Sequence, residues 1–160
     1  LEGVLQTTGP KAQVDVVELF PEIVEWNRTF MADLNGAALK DPRVEVLEED
    51  VRDVIIRSAK TPYDVILLDI DNNTTAMVKV ENHQLYEKLG IQETWDALRP
   101  GGRAAIWFAG PDVKVERLLR KVGFNVQAVP AKVYASSKNG AYRIYVADKP
   151  LNAAAKTKQR

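Results

Sequence analysis

Tyr63-Asp64-Val65-Ile66-Leu67-Leu68-Asp69 is the stretch from which the rest of the chain can be read. Four consecutive apolar residues, two of them β-branched, run between two carboxylates with no polar residue interleaved. This is the strongest strand signal in the chain, and a strand so apolar is expected to be central in its sheet. Asp69 stands at its tip, and a polar loop runs on from Asp71 to about Asn82.

Outward from this strand the chain alternates between short apolar runs and amphipathic segments. Upstream, Arg43-Val44-Glu45-Val46-Leu47 has the period of two of a strand near an edge. Val14-Asp15-Val16-Val17-Glu18-Leu19-Phe20 is a further β-branched run that fits a strand covered on both faces, and Pro21 suits the first turn of a helix. Ile23, Trp26, Phe30 and Leu34 then recur at helical spacing and predict a buried stripe, with Asn35-Gly36 as the stop. Asp50 is placed to cap a short helix carrying Val51, Val54 and Ile55.

Downstream, Ile91, Trp95 and Leu98 mark a helix ended by Pro100-Gly101-Gly102, and Arg103 to Phe108 reads as a strand. Gly110-Pro111-Asp112 opens a helix with Val115, Leu118, Leu119 and Val122 on one face, closed by Gly123. Phe124 to Val133 and Ala141 to Ala147 flank a turn of Ser, Lys, Asn and Gly, a hairpin signal. Strands alternating with helices require crossovers and hence a parallel sheet. The expected fold is therefore α/β, a doubly wound, mostly parallel, Rossmann-like sheet with a C-terminal antiparallel hairpin. Residues 1–150 form the domain, and 151–160 are expected to be a flexible tail.

The chain has 160 residues, 46% of them apolar, which suffices for a packed core. No apolar run approaches the roughly 20 residues of a membrane-spanning helix, and no signal peptide is recognisable, so a cytoplasmic location is expected. With no cysteine, disulfides and thiolate metal ligation are excluded. Lys plus Arg and Asp plus Glu are 22 each, so the basic excess typical of nucleic-acid binding is missing. A small-molecule partner is expected instead, with no membrane and no metal.

Ligands of open parallel sheets bind beyond the carboxyl ends of the strands. Four acids fall there: Glu18, Asp50, Asp69 and Asp71. Glu18 is either a ribose acceptor or a strand-end acid capping the next helix. Asp50 is an N-cap that also faces the ligand crevice. Asp69 and Asp71 together suit an amine or a metal ion, or build a turn with Asn72-Asn73. Tyr86 is a pocket-lining candidate or a core ring. His83, the single histidine, is a surface residue or a lid contact. Trp26, Trp95 and Trp107 read as core.

Together these segments resemble the spermidine synthase branch of the class I S-adenosylmethionine-dependent methyltransferase superfamily, from Val14 to about Asp148. The resemblance implies roles. Glu18, in Val16-Val17-Glu18-Leu19-Phe20-Pro21, takes the ribose; Asp50 takes the adenine amino group, with the Val51 backbone beside the ring. Asp69 takes the place beside the reacting amine, and Asp41-Pro42-Arg43-Val44, Leu85-Tyr86 and Leu98-Arg99-Pro100-Gly101-Gly102 fit the same pattern. The implied activity is aminopropyl transfer from decarboxylated S-adenosylmethionine to a small amine, in a homodimer. Methyl transfer from S-adenosylmethionine to another acceptor, and a non-catalytic nucleoside-binding relic, are the alternatives.

Two departures stand out. The second catalytic acid of the family comes three residues after the first and precedes a proline, whereas position 72 is Asn and Asp71 comes early. The glycine-rich loop after the first strand has no counterpart, and Leu1 to Thr8 resembles the helix next to that loop. The expectation is a domain represented without its first, central strand, which would leave the strands ending in Glu18 and Asp69 without a shared neighbour.

Overall fold

The computed structural model describes residues 1–34, 38–70, 80–132 and 142–152. They form two compact units, 1–54 and 55–160. Among the described residues no helix is long and apolar enough to cross a membrane.

The first unit is built on two parallel strands, β1 (Val14–Val17) and β2 (Val44–Leu47). Their register pairs Val14 with Val44 and Val16 with Val46, so the valines share one face. Helices α1 (Glu2–Thr7) and α2 (Pro21–Arg28) and a 3-10 turn (Ala38–Lys40) accompany them. Leu5, Val24 and Ala38 are the buried residues of these elements. Arg43 holds α1 in place: its guanidinium donates to the carbonyls of Leu5, Thr8 and Gly9 at 3.1–3.3 Å. Pro21 opens α2 as expected.

The buried stripe expected along α2 is not formed. The helix ends at Arg28, Phe30 and Leu34 are 84% and 82% exposed, and Trp26 is 47% exposed. Thr29 explains the early stop, because its hydroxyl donates to the Glu25 carbonyl at 2.7 Å and its backbone leaves helical angles. The expected stop at Asn35-Gly36 lies outside the described residues.

Helix α3 (Val51–Ser58) leads into the second unit, whose sheet has the order β3-β4-β6-β5. β3 (Tyr63–Leu68) pairs in parallel with β4 (Leu98–Phe108). β4 pairs antiparallel with β6 (Tyr142–Asp148), which pairs antiparallel with β5 (Asn125–Ala131). The closing hairpin is thus where the sequence placed it. β1 and β3 belong to different sheets, and among the described residues each has a single hydrogen-bonded strand neighbour.

Helices α4 (Lys88–Asp96) and α5 (Val113–Val122) complete the second unit. They cover the face of β4 and β6 that carries Ala104, Ile106, Phe108, Tyr145 and Ala147, all buried. The Tyr145 hydroxyl accepts from the Asp112 N–H at 2.7 Å and donates to the Asp112 carbonyl at 3.1 Å, fixing the start of α5 on this face. Asp112 caps α5 by accepting from the Val115 N–H at 3.0 Å, and Gly123 ends it at φ 128°. The opposite face carries Val65, Leu67, Ala105, Trp107 and Ile144, none of them fully buried.

Pro100-Gly101-Gly102 does not end a helix, as its composition suggests. It lies inside β4, because Gly101 N–H donates to the Lys149 carbonyl and Lys149 N–H to the Gly102 carbonyl, at 3.0 and 2.9 Å. Gly101 supplies a φ of 80°, and the β3–β4 register shifts between Tyr63 and Val65 to absorb the irregularity. Of the expected tail, Leu151 and Asn152 form a turn, and the remainder lies outside the described residues.

Candidate functional site

In the first unit, parallel pairing brings two of the candidate acids to one end of the sheet. The register ends at Val17 opposite Leu47, and Glu18 N–H continues it by donating to the Leu47 carbonyl at 3.0 Å. Asp50 lies three residues after Leu47, at the start of α3. Both acids therefore lie beyond the carboxyl ends of neighbouring strands.

Each is oriented by its own backbone. Glu18 accepts the Phe20 N–H on Oε1 at 3.0 Å, which leaves Oε2 as the acceptor for a ligand. Asp50 accepts the Arg52 N–H on Oδ1 at 2.9 Å, while its carbonyl receives the N–H groups of Asp53 and Val54. Asp50 is thus the N-cap that the sequence proposed. Val51 is the first residue of α3 and is half-buried.

A cavity of about 330 Å³ adjoins Glu18, lined also by Val16, Ile23, Val24, Asn27 and Val46. Asn27, which falls within the predicted apolar stripe, donates its amide to the Ile23 carbonyl one turn back at 2.9 Å. A larger hollow of about 440 Å³ lies near Lys40, Asp41 and Arg43, toward the other end of β2. Two of its charged groups are engaged with each other: Arg43 binds Asp41 at 2.8 and 2.9 Å. That side-chain bond holds the Asp41 carboxyl down at about 2.

In the second unit, Asp69 is exposed one residue beyond β3. Tyr86 is buried, 2% exposed, with its ring edge-on to Phe108 at 5.0 Å between centroids. It lies in the core beneath the end of β4 rather than on an open wall. His83 lies 3.5 Å from Glu87 through Nδ1, on the exposed side of the segment that precedes α4. Asp71 lies outside the described residues. The structure therefore gathers Glu18, Asp50 and Val51 at one end of the first unit, and holds Asp69 and Tyr86 in the second.

One feature at the rim of the second unit differs from the expectation. Trp107, expected to be core, is only half-buried and packs against the half-buried Tyr142, ring centroids 4.6 Å apart and planes at 37°. The signal was present in the alternation of Arg103 to Phe108. It sets Trp107 on the face opposite Ile106 and Phe108, the two residues buried under the helices.

The acceptor set of the first unit fits an adenosyl group. A carboxylate with one oxygen to spare at a strand end suits a ribose diol, and a second acid capping the next helix suits an exocyclic amine.

Residues 7–128 match the family described as the spermine/spermidine synthase domain. A polyamine aminopropyltransferase of Corynebacterium efficiens is 29% identical over 107 residues, 65% of this chain and 20% of that protein. One from Mycobacterium tuberculosis is 28% identical over 102 residues, 62% of this chain and 18% of that protein. The matches thus span about a fifth of the length of these relatives.

Among solved structures, human methyltransferase-like protein 13 in complex with SAH superposes with a TM-score of 0.66 at 22% identity, over 92% of this chain and 66% of that one. Spermidine synthase from Thermotoga maritima gives 0.60 at 18% identity, over 88% and 46%. These likenesses establish the fold, a Rossmann-like methyltransferase α/β architecture with a mixed sheet.

Proposed function

Because the chain belongs to the spermine/spermidine synthase domain family, we propose that it acts in aminopropyl transfer from decarboxylated S-adenosylmethionine to a small amine. The observation that carries this is the pair of acids at the ends of the parallel strands β1 and β2. Glu18 offers Oε2 to the ribose hydroxyls, and Asp50, at the head of α3, takes the adenine amino group with the Val51 backbone beside the ring.

When bound, the cosubstrate supplies a carbon activated by a sulfonium, which leaves as a neutral thioether while the amine nitrogen takes its place. The chain supplies the rest. An amine is nucleophilic only once deprotonated, and Asp69 both attracts the ammonium and accepts its proton. Its exposure one residue past β3 leaves the carboxylate accessible to such a cation. Asp71 assists it. The bond made is C–N, the bond broken is C–S, and the proton passes to the carboxylate.

Asn72, at the position of the family's second acid, favours methyl transfer as the second reading. The two reactions use the same nucleoside contacts and differ in the carbon attacked. Turnover with decarboxylated S-adenosylmethionine and putrescine, monitored as methylthioadenosine release, is the expected outcome. Turnover confined to S-adenosylmethionine, yielding S-adenosylhomocysteine, would replace aminopropyl by methyl transfer.

A further inference from the structure

The cavity beside Glu18 is walled by elements that are tied together at the other end of the first unit's strand pair. Leu1 and Glu2 at the start of α1, Ala38 and Leu39 of the 3-10 turn, and Val46 of β2 line it together with Glu18. Glu18 stands one residue past β1, whereas Arg43 stands one residue before β2, so the parallel pairing sets them at opposite ends. Neither Arg43 nor Asp41 lines this cavity.

Arg43 and Asp41 nevertheless hold all three of its walls. The guanidinium grips Asp41 through Nε and Nη2 at 2.9 and 2.8 Å, and its Nη1 donates to the carbonyls of Leu5, Thr8 and Gly9 at the end of α1. Asp41 N–H donates to the Ala38 carbonyl at 3.3 Å, and the Asp41 carbonyl accepts from the Val44 N–H at 2.9 Å. These bonds reach the 3-10 turn and β2. The Arg43 carbonyl accepts the Val14 N–H at 2.9 Å, which carries the tie into β1.

Helix α1 depends on this tie. Its six residues make less than two turns, too few for a helix to hold itself in water. The last carbonyls of a helix lack N–H partners within it, and Arg43 supplies donors together with the positive charge that suits a helix end. Six residues span only about 9 Å, so a helix released at Thr8 shifts Leu1 and Glu2 against Glu18 as well.

We propose that Arg43 and Asp41 are positioning residues for the nucleoside, holding α1 and the 3-10 turn as the wall against which Glu18 receives the ribose. The assignment rests on the group-transfer reading and extends it to two residues that touch neither the nucleoside nor the amine.

The test is a double-substitution cycle read by calorimetry with methylthioadenosine, on the wild type, Arg43→Met, Glu18→Gln and the two combined. Each is titrated at a temperature where thermal melting shows it folded. Arg43→Met is expected to weaken binding about tenfold in the wild type, and less than about twofold once Glu18→Gln is present. A merely structural role would lower the affinity by the same factor in both backgrounds. If Arg43→Met does not fold, Arg43→Lys replaces it, because lysine keeps the charge without the fork that reaches Asp41 and the carbonyls together. It is expected to weaken binding about threefold, again only while Glu18 is present. Unchanged affinity in the Arg43 variant, or an equal loss with and without Glu18, overturns the positioning role. A loss in Glu18→Gln alone would then leave the nucleoside reading standing. Failure of methylthioadenosine to bind the wild type brings down the group-transfer reading and the positioning role with it.

Discussion

Asp69 and Lys149 show how differently two charged side chains are used within one unit. Asp69 is exposed at the tip of a strand, where a carboxylate can meet a cation without being desolvated first. Asp69→Asn keeps the size and removes the base. It is expected to lower turnover by at least about 100-fold, the scale of general base catalysis, with methylthioadenosine affinity unchanged by calorimetry. Lys149 is buried, its ammonium donating to the Trp95 and Leu98 carbonyls at 2.7 and 2.6 Å and lying 5.0 Å from the Trp95 ring centre.

Burial lowers the Lys149 pKa below the usual lysine value, with Asp96 opposing. Between its folded value and its ordinary one the unfolded chain binds more protons, so stability rises with pH across that window. Lys149→Met strands two carbonyls and should destabilise by roughly 2 kcal/mol. Urea titrations should show the gap to the wild type widening as pH rises toward 10.5. A gap that narrows would show that the ammonium, rather than its hydrogen bonds, stabilises the fold.

At the scale of elements, what the sequence made legible was whatever local chemistry decides. The helix start at Gly110-Pro111-Asp112, the Asp50 cap and the Gly123 stop depend on residues within a few positions of one another, and the closing hairpin joins strands that are neighbours in sequence. The stripe along α2 failed because Ile23, Trp26, Phe30 and Leu34 have the right period, yet Thr29 breaks the helix inside it. Pro100-Gly101-Gly102 looks like a helix stop because its bonds to Lys149 come from about fifty residues away, a distance no local pattern reports. The acids at the strand ends were legible because a parallel sheet fixes where ligands approach. The half-exposure of Trp107 was not, because alternation sets it opposite Ile106 and Phe108 but does not say which face the helices cover.

Gly90 gives an element-scale test. It lies within α4, and a Cβ there would collide with the Gln84 carbonyl oxygen and the Leu85 backbone. Helix propensity alone predicts that Gly90→Ala stabilises by about 1 kcal/mol. The packing predicts the opposite sign, because backbone rather than a flexible side chain must move. Chemical denaturation should show destabilisation of more than about 1 kcal/mol; a gain would mean that α4 stands off from the segment before it.

Across the whole molecule, the two units are held by different means. The first has few buried residues and relies on the clasp of Arg43 on α1 and Asp41, whereas the second packs a sheet under two helices. Asp41 is held at about 2 against an ordinary 3.8, so its contribution is full above 3.8 and disappears as pH falls through 2. Asp41→Asn should therefore differ from the wild type in melting temperature at neutral pH and converge with it in acid. The difference should be small, since the pair is near the surface.

The function of the molecule turns on whether Glu18 and Asp50 hold an adenosyl group. Calorimetric titration of the protein with methylthioadenosine tests it directly, beside Glu18→Gln and Asp50→Asn. Saturable binding at one site is predicted, weakened by about 10- to 100-fold in Glu18→Gln through loss of charge-assisted hydrogen bonds. No binding, or an affinity indifferent to both substitutions, would contradict it.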